Sequence, residues 1–292
     1  MKKILLVGSN GYIGSRLYDL LKEKYKFCII DSQIKNADKK YNPFIALDYR
    51  DLDEKFLSQF EICVWLAGHS SVTMAIQDPM GCLENNLIGL INFLKIYKGR
   101  LIYSSSGSVY NNANYELFSE EMSINYVPSN IYDFTKITFD NYLMLMKNTN
   151  NIKIKNFIGL RFGTVVGASK NIRKELLLNK MIFDGLKTKQ INLNNPTVLR
   201  PVLFIDDLIR GIEKIIDDEK DYNSEIYNLC SLNLTMEAYA KAVSSILNVP
   251  INRLPNTKTY NFGMSNEKFK NKYNFEFTKD LSLIINNIKN IY

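Results

Sequence analysis

The stretch KKILLVGSNGYIGSRLYDLLKEKY, residues 2–25, changes its hydrophobic period in the middle. Ile4, Leu5, Leu6 and Val7 form a continuous apolar run too short for a helix and suited to a strand buried on both faces. From Ile13 onward the apolar residues recur at helical spacing, at Leu17, Leu20 and Leu21. Between the two lies Gly8-Ser9-Asn10-Gly11-Tyr12-Ile13-Gly14. Glycines at such a junction let the chain turn sharply, bring backbone N–H groups close to a pyrophosphate and let the helix pack tightly on the strand, while the helix N-terminus favours negative charge. A glycine pattern alone is a weak signal. Directly after a first strand it reads as a dinucleotide site, with Gly8, Asn10, Gly11, Tyr12, Ile13 and Gly14 as its contacts. The apolar run ends too soon in this turn to be a secretion signal.

Outward from that turn the same alternation repeats. KFCIIDS, EICVWLAG and RLIYSSS are short apolar runs, and SRLYDLLKEK and NNLIGLINFLKIY are amphipathic segments between them. Strand alternating with helix predicts an α/β fold, a doubly wound parallel sheet covered on both faces. The second strand ends in Asp31, whose carboxylate can accept hydrogen bonds from both ribose hydroxyls of an adenosine and would repel a 2′-phosphate, which favours NAD over NADP. Asp48 follows a third short strand and could either reach the adenine edge or cap a helix. After Ile152 the rhythm loosens. IKNFIGLRFG reads as a sixth strand, and helices are expected near 173–186, 207–217 and 235–247. The expected division is 1–165 as the nucleotide-binding domain, with a returning strand near 225–230, and 166–292 as a smaller α/β substrate lobe.

Composition narrows the partners. Of 292 residues 46% are hydrophobic, enough for a sizeable core, and 37 Lys and Arg against 30 Asp and Glu give a net charge of +7 that favours anionic ligands. That charge is spread along the chain without basic runs interleaved with aromatics, so nucleic acid is not the expected partner. Cys28, Cys63, Cys82 and Cys230 lie far apart and His69 is the single histidine, so no metal is expected and the thiols read as reduced, in a cytoplasmic protein. No stretch approaches the roughly 18 apolar residues of a membrane span.

Tyr132 and Lys136 in NIYDFTKIT stand four apart in a helical stretch and project from one face. An ammonium beside a phenol, near a positive nicotinamide, would lower the phenol's pKa from about 10 towards that of a general base. The pair means little alone. The strand RLIYSSS adds weight by delivering serines to the carboxyl edge of the sheet, where open α/β folds bind ligands.

Taken in order, GSNGYIG, Asp31, LAGHSSV, ENNLIGLINFL, LIYSSSGSVY, YDFTK, LRFGTVVG, RPVLFIDDL and EIYNLCS resemble the extended short-chain dehydrogenase/reductase family, in particular its NAD-dependent sugar-nucleotide epimerases and dehydratases, from residue 4 to about 231. The resemblance implies a Rossmann-type sheet, NAD as cofactor, a nucleotide-sugar substrate and a homodimer pairing through a helix bundle. It implies that Ser106 binds the sugar hydroxyl being oxidised, that Tyr132 removes its proton, and that Lys136 holds the nicotinamide ribose. Leu66, Ala67, Gly68 and Ser104 would line the cofactor, Asn86 would support the sheet edge, and Arg200 would clamp the nucleotide diphosphate. Asp206 and Asp207 are expected to cap the following helix, and His69 either stabilises its loop or approaches substrate.

The positions after Ser106 choose the subclass. The family's 4,6-dehydratases carry an Asp-Glu pair there, and this chain has Gly107-Ser108, with Ser108 left as a substrate contact. Dehydration therefore lacks its acid and base, decarboxylation lacks its glutamate, and a single histidine disfavours 3,5-epimerisation. Redox at C4 remains: a 4-epimerase first, a 4-dehydrogenase or ketoreductase as the alternative, and a non-catalytic NAD-binding or RNA-binding member behind both. Two substrate contacts depart from the family pattern: Thr164 stands where an Asn is usual, and Lys258, in NTKTYNFG, replaces the family's arginine near the C-terminus.

Overall fold

The computed structural model describes residues 1–32, 44–45, 48–110, 117–122, 128–219 and 223–291. Seven strands form the large sheet: β1 (Lys3–Val7), β2 (Lys26–Ile30), β3 (Phe44–Ile45), β4 (Ile62–Trp65), β5 (Arg100–Ser106), β6 (Asn156–Phe162) and β7 (Glu225–Leu229). Their order is β7-β6-β5-β4-β1-β2-β3, and every neighbouring pair is parallel. The order reverses direction between β1 and β4, so the crevice at the carboxyl ends of these two strands is where such a sheet takes its ligand.

Both faces of the sheet are covered, which is why its strands read as unbroken apolar runs. Ile4 and Leu6 pack into one core while Leu5 and Val7 point the other way into a second, and all four are at most 1% exposed. The first core is completed from far along the chain, by Leu208, Ile209 and Ile212 and by Phe269 and Phe277. The second is closed by Leu90 and Phe93 and by Phe139 and Leu143. A smaller three-stranded sheet, Leu232–Thr235, Leu199–Phe204 and Thr164–Val166, packs with the helices Leu177–Thr188, Met236–Leu247 and Leu281–Lys289 around a third core.

Three helices position the site: α1 (Tyr12–Leu21), α2 (Ile131–Asn148) and α3 (Ile205–Asp217). The helix expected from residue 173 begins only at Leu177, because Arg173 turns away to donate to the Ser70 carbonyl and hydroxyl at 3.0 and 2.9 Å. Asp206 and Asp207 do not cap α3, whose N-cap is Phe204 without a side-chain bond. Both lie in its first turn, where Asp206 takes a bidentate pair from Arg16 and Asp207 accepts from Ser231 and Thr278. The expected helix around Asn86 contains a π-helical segment, Glu84–Ile88, ahead of the α-helix Gly89–Ile96. Among the described residues no helix is long and apolar enough to cross a membrane, and no group of three or more His, Cys, Asp or Glu could hold a metal.

Candidate active site

The glycine turn is built so that nothing larger would fit. Gly8 has φ +89°, and a Cβ there would lie 2.5 Å from the Ala67 backbone nitrogen. A Cβ on Gly14 would lie 2.2 Å from the Gly8 carbonyl oxygen, so α1 can start this close to β1 only with glycine there. The N-cap of α1, Gly11, supplies no side-chain hydrogen bond, which leaves the first-turn N–H groups of the helix for a ligand. Asp31 at the end of β2 accepts from the Asn10 N–H at 2.9 Å. This cradle suits the pyrophosphate and adenosine ribose of a dinucleotide.

A cleft of about 950 Å³ runs from this turn across the carboxyl ends of β4 and β5 towards the smaller sheet. It is lined by the expected Gly8, Asn10, Gly11, Tyr12, Ile13, Gly14, Asp31, Leu66, Ala67, Gly68, Ser104, Ser106, Ser108, Tyr132, Lys136, Thr164 and Arg200. Two expected contacts stand outside it. Asp48 caps the short helical turn Tyr49–Asp51 and pairs with Arg50, and Lys258 is exposed and absent from the lining. In their place the lining holds Tyr260 and Phe262, two and four residues beyond Lys258, together with Arg173, Asn171 and Met236.

At the end of β5 the predicted triad comes together. Lys136 Nζ donates to the Ser104 carbonyl at 2.9 Å and lies 5.8 Å from the centre of the Tyr132 ring. Ser106 and Tyr132 line the same cleft beside it. The ionisation of the pair differs from the sequence expectation. Burial pushes the Tyr132 phenol up to about 12, opposed by Ser106, and burial pulls Lys136 down to about 8, opposed by Asp140. Desolvation of the protein alone thus outweighs the lowering expected from lysine, whose ammonium is directed at a backbone carbonyl.

Behind the triad stands a support that spacing did not reveal. Asp140 is fully buried and accepts from Tyr103, Ser105 and Arg161 at 2.8, 2.9 and 2.8 Å, fixing α2 to β5 and β6. Asn86, on the π-helical segment, accepts from the His69 N–H at 2.8 Å and donates to the His69 carbonyl at 2.9 Å, which holds the loop after β4. The His69 ring lies 3.3 Å from Asp78 and lines the cleft. On the far side, Arg200 is half-buried with no ion pair among the described residues. Its nearest polar contacts are Thr259 and Thr164 at 3.4 Å, and its Nε has no hydrogen-bond partner. Partial burial lowers its pKa, with no carboxylate paired to it among the described residues.

The family model for the NAD-dependent epimerase/dehydratase family matches residues 4–230. The chain belongs to that family. It is an NAD-dependent epimerase or oxidoreductase, and NAD is its cofactor. Among curated relatives it is 25% identical over 276 residues to a UDP-glucose 4-epimerase of Lactobacillus helveticus, covering 84% of this chain and 82% of the relative. It is 29% identical over 224 residues to an ADP-L-glycero-D-manno-heptose-6-epimerase of Brachyspira hyodysenteriae, covering 70% and 69%. The fold matches the crystal structure of a UDP-glucuronic acid 4-epimerase from Bacillus cereus with a TM-score of 0.84 at 22% identity, over 99% of this chain and 100% of the other.

Proposed function

We propose that the protein is a nucleotide-sugar 4-epimerase that works by transient oxidation at C4 of the sugar. The observation that carries this reading is the meeting of Ser106, Tyr132 and Lys136 at the end of β5, in the cleft that begins at the glycine turn. The first-turn N–H groups of Tyr12, Ile13 and Gly14, in the turn that Gly8, Asn10 and Gly11 shape, would hold the NAD pyrophosphate, and Asp31 the adenosine ribose. Leu66, Ala67, Gly68 and Ser104 would line the cofactor, and Lys136 would reach the nicotinamide ribose. The chemistry NAD supplies when bound is reversible hydride transfer.

Tyr132 is the proton acceptor for the C4 hydroxyl, and Ser106 orients that hydroxyl beside it. The uncompensated guanidinium of Arg200, with Thr164 beside it, is the clamp for the substrate diphosphate, which would supply the counter-charge the protein withholds. Ser108 is uncharged, so the cleft has no acidic side chain two residues after Ser106 to eliminate water. The same residues would serve a 4-dehydrogenase or ketoreductase; the names of several relatives favour epimerisation. Exposed Ile88, Phe134 and Leu145, at 39, 40 and 55%, support pairing of two copies through these helices. Four free thiols support a cytoplasmic location.

Tyr132→Phe tests the reading. Turnover of a UDP-sugar panel should fall by at least 100-fold while NAD content and UDP binding by calorimetry stay at wild-type values. A Phe variant with wild-type turnover would remove Tyr132 from the chemistry.

A further inference from the structure

Ser106 and Arg200 are carried by different halves of the chain, the first at the end of β5 in the large sheet and the second in the strand Leu199–Phe204 of the smaller one. A nucleotide sugar held by both needs them at a fixed separation. One buried side chain, which none of the roles above uses, lies between their supports. Asp133, in the first turn of α2, is fully buried. Its Oδ1 accepts from the Ser108 hydroxyl, and its Oδ2 accepts from the Tyr260 hydroxyl at 2.8 Å and from Asn130 Nδ2 at 2.7 Å.

The first arm is short. Ser108 Oγ lies 2.8 Å from Ser106 Oγ, and the Ser108 N–H donates to Ser106 Oγ at 3.2 Å, so the place of Ser108 fixes that of Ser106. The second arm crosses to the other half of the chain. The residues after Tyr260 are bound to the strand that carries Arg200: Asn261 Oδ1 accepts from the Leu199 N–H at 2.9 Å, and the Phe262 N–H donates to the Leu199 carbonyl at 3.2 Å. The centre of the Tyr260 ring is 5.9 Å from the Arg200 guanidinium carbon, and Thr259, the residue before it, accepts from Arg200 Nη1 at 3.4 Å. Tyr260 and Arg200 therefore form one block.

Helix capping explains only part of this. Asn130 caps α2 by accepting from the Asp133 N–H at 2.9 Å, and an acid suits a first helical turn. A cap requires neither Ser108 nor Tyr260, nor that the acid leave water, where burial is costly to a carboxylate. The geometry points to Asp133 as a positioning residue that sets the distance between the two ends of the site, bracing Ser106 through Ser108 and the Arg200 block through Tyr260. The inference rests on the proposed roles of Ser106 and Arg200. A displacement of about 1 Å at a reacting centre costs on the order of 100-fold in rate, so a loosened brace lowers kcat. UDP alone carries no sugar, meets only the clamp and keeps its affinity.

Cutting a chain at two points loses no more than cutting it at one, which supplies the test. Tyr260→Phe removes one arm and leaves the ring beside Arg200, and Ser108→Ala removes the other. With whichever of UDP-glucose, UDP-glucuronic acid and UDP-N-acetylglucosamine is turned over, each variant should lose about 10-fold in kcat, and the double variant no more. The Kd of UDP by calorimetry should match the wild type in all three. Asp133→Ala, which keeps the N–H that Asn130 caps, should show the same loss of kcat. A kcat unmoved in either folded single variant overturns the inference, as do losses that multiply in the double variant, the sign of two hydroxyls touching substrate independently. Where a single variant fails to fold, an unmoved kcat in Asp133→Ala overturns it instead. Turnover of none of the three sugars, or an Arg200→Gln variant that binds UDP as the wild type does, overturns the reading of the site itself, which separates the two failures.

Discussion

Lys136 shows how burial sets the chemistry of a single residue. The folded chain gives up its proton near 8, and the unfolded chain holds it to the ordinary lysine value of 10.5. Between the two the unfolded state binds more protons, so native stability rises with pH across that window, by up to about 3 kcal/mol at 1.36 kcal/mol per pH unit. In Lys136→Met, compared by urea unfolding at matched NAD occupancy, that rise should disappear. Equal slopes for the two proteins between pH 8 and 10.5 would show that Lys136 is solvated. The spacing of Tyr132 and Lys136 was legible because it is local to one helix, and Ser106 because it ends an apolar strand. Their ionisation was not, since desolvation depends on what packs around them.

The glycine turn is the element whose sequence said most, because its constraints are steric and fall within seven residues. Gly14→Ala places a methyl against the Gly8 carbonyl and within 2.9 Å of Ser9 Cα, both backbone neighbours that cannot rotate away. Overpacking of this kind costs roughly 1–3 kcal/mol. It should also spoil the cradle, so the purified variant should carry much less NAD on heat release than the wild type; full NAD content would contradict the steric argument. Other elements were less legible. The π-helical segment that turns Asn86 towards His69 has no signature in an apolar run. Asp48 caps its turn and pairs with Arg50, two residues on, a local arrangement that a short strand followed by an acid does not announce.

At the scale of the molecule the cleft belongs to both halves of the chain. Tyr12 of the glycine turn donates to the Gly167 carbonyl at 2.7 Å, Asn171 donates to the Asn10 carbonyl at 2.7 Å, and Arg173 reaches Ser70. These contacts span more than 100 residues, as does the bond from Tyr260 to Asp133, and no pattern along a single sequence reports them. Lys258 reads from the sequence as a cation suited to a phosphate, whereas Tyr260, which lines the cleft, carries no such local signal. The claim that joins both halves is that the sugar end of the substrate meets Ser106 and Tyr132 while its diphosphate meets Arg200. It is tested most directly by incubating the NAD-loaded protein with UDP-glucose, UDP-glucuronic acid and UDP-N-acetylglucosamine carrying deuterium at C4, and following the sugars by NMR. The expected result is a C4 epimer of one of them with the deuterium retained at C4 and no net accumulation of NADH. Release of a 4-keto sugar with stoichiometric NADH, or no change in any of the three, would contradict it.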